Sequence, residues 1–91
     1  MLIRNVMESI TEYIFQNELL KEYELKCSCE KCIADILALT LNHLPPRYVA
    51  THEGELLIST MLVDTQLKID VTEELMRSVL KVENNPQHAQ G

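Results

Sequence analysis

Tryptophan is missing from this 91-residue chain, phenylalanine occurs once and glycine only twice. A core made without large aromatics must be aliphatic, and the many leucines, isoleucines and valines can supply it. So few glycines argue against an all-β protein, which needs turn residues at every strand connection. No run approaches the roughly 20 apolar residues needed to span a bilayer. Positive charge is also scarce. Eight Lys and Arg stand against fourteen Asp and Glu, for a net charge of -6. Such a surface repels nucleic acid and anionic lipid, so neither direct nucleic-acid binding nor membrane association is expected. Met1-Leu2-Ile3 is apolar, but Arg4, Glu8 and Glu12 interrupt the run, so the opening residues do not read as a secretory signal.

What is present reads as one small helical domain. Hydrophobic residues make up 46% of the chain, too many for a disordered segment. Apolar residues at three- and four-residue spacing predict a first helix over 2–23. Ile3, Val6, Met7, Ile10, Tyr13, Ile14 and Leu20 form its inner face, and Arg4, Glu8, Glu12, Gln16 and Glu18 its outer one; Ser9 and Thr11 suit the surface. A connector over 24–29 leads to a second helix, 30–41, starting at Ser28 or Cys29 and burying Ile33, Ile36, Leu37 and Leu41. Pro45-Pro46 stops it. Residues 44–54 read as a loop closed by Gly54, and 55–63 as a short helix. Leu56–Thr60 has strand propensity, but no partner strand is visible. Asp64 is the expected N-cap of a last helix over 65–83, carrying Leu67, Val71, Leu75, Val79 and Val82. Asp70 is a rival start, with Glu73 completing a capping box. Asn84-Asn85-Pro86 ends the helix. The expectation is an all-α domain of four to five helices over 1–83 and a tail over 84–91.

The three cysteines fall within six residues, as C-S-C-E-K-C over 27–32. Cysteines used as small hydrophobes are scattered through a core, so this density points to a shared ligand. An odd number of clustered thiols without a secretory signal also points to the cytoplasm and to metal or redox chemistry. Tetrahedral zinc suits thiolate, with Zn–S bonds of about 2.3 Å and sulfurs about 3.8 Å apart. Cys29 and Cys32 lie three apart, so a helical first turn puts them on one face, with Cys27 approaching from the preceding segment. The helix N-terminus favours thiolate, and Lys26 and Lys31 lie close enough to balance its charge. The expected cofactor is a structural zinc ion. A Cys29–Cys32 redox disulfide and three unrelated thiols are the competing readings. The fourth ligand must be His, Asp or Glu. His43 suits a helix end, His52 lies in a loop, and His88 sits in a tail with no core residues to explain it. His88 is the choice made here, against the bland reading of a solvated tail histidine.

The run over 27–48, C-S-C-E-K-C-I-A-D-I-L-A-L-T-L-N-H-L-P-P-R-Y, resembles the signature of the late-competence protein ComFB family. The likeness continues more weakly through the last helix and the N-P-Q-H tail. It implies an all-helical cytoplasmic homodimer, with a structural zinc held by Cys27, Cys29 and Cys32. Some relatives carry a further cysteine near the C-terminus; this chain has none, and His88 lies in that neighbourhood. The family is associated with DNA uptake, and the resemblance also implies a receptor for cyclic dinucleotides, chiefly cyclic di-GMP.

Such a ligand asks for an arginine fork for phosphate or a guanine edge, and for flat faces to stack on. Arg47-Tyr48 sets both side by side after a rigid Pro-Pro, and Asn42 and Asp35 can read guanine edges. Each has a plain structural reading as well: Tyr48 packed on the second helix, Arg47 on a surface carboxylate, Asp35 on a lysine. No Gly-rich phosphate loop, nucleophile triad or carboxylate pair stands out, so no enzyme is expected. The reading is a zinc-stabilised regulatory binding protein that signals through a protein partner. The alternative is an adaptor or structural protein in competence or motility that needs no small ligand.

Overall fold

The structure is a computed structural model and describes residues 3–84, with backbone alone over 51–53. It is mostly helical, as expected, with one small sheet added. In order come β1 (Ile3–Asn5), α1 (Val6–Ile14), a π-helical turn (Phe15–Leu19), α2 (Leu20–Glu22), α3 (Glu30–Asn42), β2 (Tyr48–Ala50), α4 (Thr51–Met61) and α5 (Thr65–Asn84). No described helix is long and apolar enough to cross a membrane.

The first helix does not begin at residue 2. Ile3–Asn5 pairs antiparallel with Tyr48–Ala50, in register Ile3↔Ala50, Arg4↔Val49 and Asn5↔Tyr48. The partner strand thus lies in the segment expected to be loop. Both strands are three residues long, too short for an alternating pattern to show. Asn5 ends β1 and caps α1, its Oδ1 accepting from the backbone N–H of Met7 at 3.1 Å. The same oxygen accepts from Arg47 N–H at 2.8 Å, and Val6 N–H donates to the Arg47 carbonyl at 2.8 Å. One asparagine therefore starts the helix and ties the Pro-Pro-Arg loop to it.

α4 begins at Thr51, directly after β2 and four residues before the expected start at Glu55, so it includes Gly54. The helix crosses close over the sheet. A Cβ on Gly54 would stand 3.3 Å from Val49 Cγ2 and 3.5 Å from Val6 Cγ1, so the missing side chain permits the approach.

The π turn changes which residues face inward. The Leu20 N–H reaches back five residues to the Phe15 carbonyl, which places one extra residue in the turn. One residue rotates the helix face by about 100°. Ile14 and Phe15 are therefore both buried, Leu19 is buried in place of Leu20, and Leu20 is 39% exposed. Ile3 and Tyr13, expected inside, are also exposed, and Thr11, expected outside, is fully buried.

The core is formed by Val6, Met7, Ile10, Ile14, Phe15 and Leu19 against Cys32 and Ile36 of α3 and Val71, Leu75, Val79 and Val82 of α5. Each fully buried aliphatic side chain contributes about 1.5–3 kcal/mol. α5 buries the stripe its periodicity predicts, with Leu67 partly buried at its start. Asp64 caps it, Oδ1 accepting from Gln66 N–H at 3.0 Å and Leu67 N–H at 3.2 Å, so the rival start at Asp70 is not used. α3 and α5 form the most extensive helix pair. Between them Thr40 Oγ1 lies 2.8 Å from Ser78 Oγ and donates to the Ile36 carbonyl at 2.8 Å.

Candidate functional site

The cysteine cluster forms where α3 starts. Cys29 is its N-cap, with extended backbone, and its sulfur accepts from the Cys32 N–H at 3.4 Å. The Cys27, Cys29 and Cys32 sulfurs all lie within 4.8 Å of one another. A tetrahedral thiolate site needs about 3.8 Å, so contraction by about 1 Å or less converts the cluster into three zinc ligands. The Cys32 amide, followed by the Cys27 side chain, lowers the Cys29 thiol below its ordinary value. Burial, then the Cys27 and Cys29 sulfurs, push the Cys32 thiol up to about 12. The site therefore offers one thiol that ionises more readily than an ordinary cysteine and one that does so less readily. No disulfide links the three sulfurs.

The expected fourth ligand, His88, lies outside the described residues, as does the side chain of His52. His43 stands at the other end of α3, eleven residues and about 17 Å beyond Cys32, which removes it from the cluster. Its Nδ1 donates to the Leu39 carbonyl at 2.9 Å. Glu83, near the end of α5, reaches the connector instead. Its Oε1 accepts from the Tyr23 hydroxyl at 2.7 Å and its Oε2 from the Lys26 N–H at 2.9 Å. The last described turn of α5 is thereby anchored one residue from Cys27. The Lys26 amide, then the Tyr23 hydroxyl, hold the Glu83 carboxyl below its usual range against the opposing effect of burial.

At the other end of α3 the chain builds a cleft. Leu44, Pro45, Pro46 and Arg47 form one wall, Leu67 and Asp70 of α5 another, and Met7 and Met61 close the remainder, enclosing about 260 Å³. The Arg47 guanidinium has no hydrogen-bond or ion-pair partner among the described residues. Asp70 accepts from Gln66 Nε2 at 2.9 Å through Oδ1, leaving its second oxygen open. Of the expected ligand contacts, Arg47 lies in this cleft. Tyr48 is exposed on β2, Asn42 is exposed at the end of α3, and Asp35 sits two turns earlier, ion-paired to Lys31 at 3.2 Å. The structure does not bring Asp35 to Arg47. Asp70, Met61, Asn5 and Glu83 were not singled out for these roles, because each acts on a partner distant in sequence. No local spacing signals such contacts.

A small helical protein with a thiol triad capping its second long helix, and a Pro-Pro-Arg cleft at that helix's far end, is a defined class. The profile of the ComFB family, late competence development protein, matches residues 4–86, and the chain belongs to that family. It is 32% identical over 77 residues to the competence protein ComFB of Bacillus subtilis (strain 168), covering 80% of this chain and 79% of that protein. The solved structure of the late competence protein ComFB from Bacillus subtilis superposes with a TM-score of 0.82 at 25% identity, over 96% of this chain and 94% of that one.

Proposed function

We propose that this ComFB-family protein is a zinc-stapled binding module in the cytoplasm that works as a homodimer, senses a cyclic dinucleotide such as cyclic di-GMP, and passes its state to a protein partner. The observation that carries this reading is the cleft at Leu44–Arg47. A loop pinned twice to the start of α1 brings Arg47, whose guanidinium has no partner among the described residues, into the lining of a largely apolar cleft. An Arg fork beside flat apolar surface suits a nucleotide. Calorimetry with cyclic di-GMP tests the reading: binding heat and a raised melting temperature are expected, and neither at high micromolar ligand would sink it.

The metal is proposed to be held by Cys27, Cys29, Cys32 and His88. Three sulfurs in reach of one ion support it, and so does the Glu83 tether. Five residues separate Glu83 from His88, a span of up to about 16 Å, and Glu83 is bonded to the residue next to Cys27. When bound, zinc supplies a structural cross-link between α3 and the end of α5. About one zinc per chain by elemental analysis is expected, with loss of metal and a lower melting temperature in Cys29→Ser. A zinc-free protein with a reducible Cys29–Cys32 bond would overturn it.

A second reading, a ligand-independent adaptor in competence or motility, draws on exposed apolar side chains along α4 and beyond it, Leu56 at 76% and Val63 at 77%. Partner capture indifferent to added nucleotide would favour it.

A further inference from the structure

We infer that Cys29 and Cys32 are a peroxide-reactive thiol pair, in which Cys29 takes the oxidant, Cys32 closes the disulfide and Cys27 is the thiol left over. The inference draws on the metal reading above only for its consequence: a disulfide withdraws two of the three sulfurs that reading needs. The head of α3 carries it. C-x-x-C at a helix start, with its first thiol at the surface and its second inside, is the layout of dithiol redox sites. Cys29 is the N-cap of α3 and is exposed, whereas Cys32 closes the first turn and is 3% exposed. An oxidant arriving from water therefore meets Cys29 first. Cys32 is its nearest fixed partner. Residues three apart share one helix face, and the Cys32 N–H already donates to the Cys29 sulfur at 3.4 Å. The sulfurs lie within 4.8 Å, so an S–S bond of about 2.05 Å asks for a shift of under about 3 Å, within reach of a rotamer change at the exposed Cys29. Cys27 stands in the connector, where no helical register holds it to either partner.

The chemistry balances with a peroxide as oxidant. The Cys29 sulfur attacks one peroxide oxygen and the O–O bond breaks. Cys29 becomes a sulfenic acid, and the other oxygen leaves as hydroxide and takes a proton to give water. The Cys32 sulfur then attacks the Cys29 sulfur, the S–S bond forms and the S–O bond breaks. That hydroxide takes the Cys32 proton and leaves as a second water. Two thiols lose two electrons and two protons, and one hydrogen peroxide gains them. The anchors around the site use no sulfur. Glu83 holds Tyr23 at 2.7 Å and Lys26 at 2.9 Å, and the Ile33 N–H donates to the Cys29 carbonyl at 3.0 Å. The helices therefore survive the oxidation.

The test exposes the full chain, purified under reducing conditions and with its zinc content measured, to a small excess of hydrogen peroxide. Trypsin cuts after Lys26, Lys31 and Arg47, which separates Cys29 from Cys32. After alkylation of the remaining thiols, the expected product is peptide 27–31 joined to peptide 32–47, alkylated at Cys27 and parted by dithiothreitol. Before digestion the chain should be lighter by two hydrogen atoms and keep its circular dichroism. Zinc present at the start should pass to a colour-forming chelator in step with the disulfide. A disulfide inside peptide 27–31, alkylation at Cys29, or loss of the helical signal on oxidation would overturn the pairing. Zinc-loaded protein that keeps its metal and all three thiols overturns the thiol pair and leaves the metal reading standing. Zinc-free protein that still forms the linked peptides overturns the metal reading and supports the thiol pair.

Discussion

Thr11 and Thr40 set up a direct contest between the presence and absence of a hydrogen-bond partner. Both are helical and both are 0% exposed. The Thr40 hydroxyl meets the Ile36 carbonyl and Ser78, whereas Thr11 Oγ1 meets no partner among the described residues. Thr→Val is the same change at each site, a hydroxyl replaced by a methyl of nearly equal size, with nearly equal helix propensity. At residue 11 it removes an unsatisfied buried hydroxyl, a penalty of about 1–3 kcal/mol, and adds a methyl in apolar surroundings. We expect Thr11→Val to stabilise by about 1–2 kcal/mol. At residue 40 the change strands the Ser78 hydroxyl, and we expect a loss of about 1–2 kcal/mol. An unfolding entropy of about 2.1 cal/mol/K per residue gives about 0.19 kcal/mol/K for this chain, so the melting temperature should rise by about 5–10 °C in one variant and fall by as much in the other. Differential scanning calorimetry at fixed zinc and protein concentration measures both. Shifts of the same sign, or a fall in Thr11→Val, would refute the reasoning and would mean that a buried water satisfies Thr11.

Three further outcomes follow from the same contacts. Asn5→Ala removes a helix cap and the tether to Arg47 together, and should lower stability by about 1–2 kcal/mol in urea titration; a change under a few tenths would show that neither bond matters. The Glu83 carboxyl lies below its ordinary value in the fold, so its stabilisation is present above the unfolded pKa of about 4.3 and is lost as pH falls through the folded one. Melting curves between pH 3 and about 6 should therefore fall less steeply for Glu83→Gln than for wild type, and parallel curves would contradict the tether. Zinc must displace the proton that Cys32 holds up to about pH 12, so metal addition at neutral pH should release protons and its affinity should rise with pH; pH-independent binding would mean that Cys32 is not a ligand.

The elements that could be read from the chain are those whose signal is local. α5 shows an apolar residue every three or four positions over five turns, and Asp64 announces its start, so both were legible. The thiol triad was legible because its three sulfurs lie within one turn and the segment before it, and so was the pivot at Pro45-Pro46. The errors have physical causes. The π turn moves burial from Leu20 to Leu19 through a single inserted residue, which no pattern of 3.6 anticipates. The β1–β2 pair joins residues more than forty apart through backbone bonds that carry no side-chain signature. Thr11 lies on a buried face although its hydroxyl argues for the surface.

By itself, then, the chain's order of residues determined a helical class, the thiol cluster at the head of α3 and a rigid arginine-bearing loop at its foot. These depend on neighbours one or two turns apart. Tertiary structure alone decided that Asn5 holds that loop, that Glu83 brings the end of α5 to the cysteine-bearing connector, and that Arg47 and Asp70 line one cleft. Each pairs groups separated by dozens of residues, and only the packing of α1, α4 and α5 around the core brings them within reach.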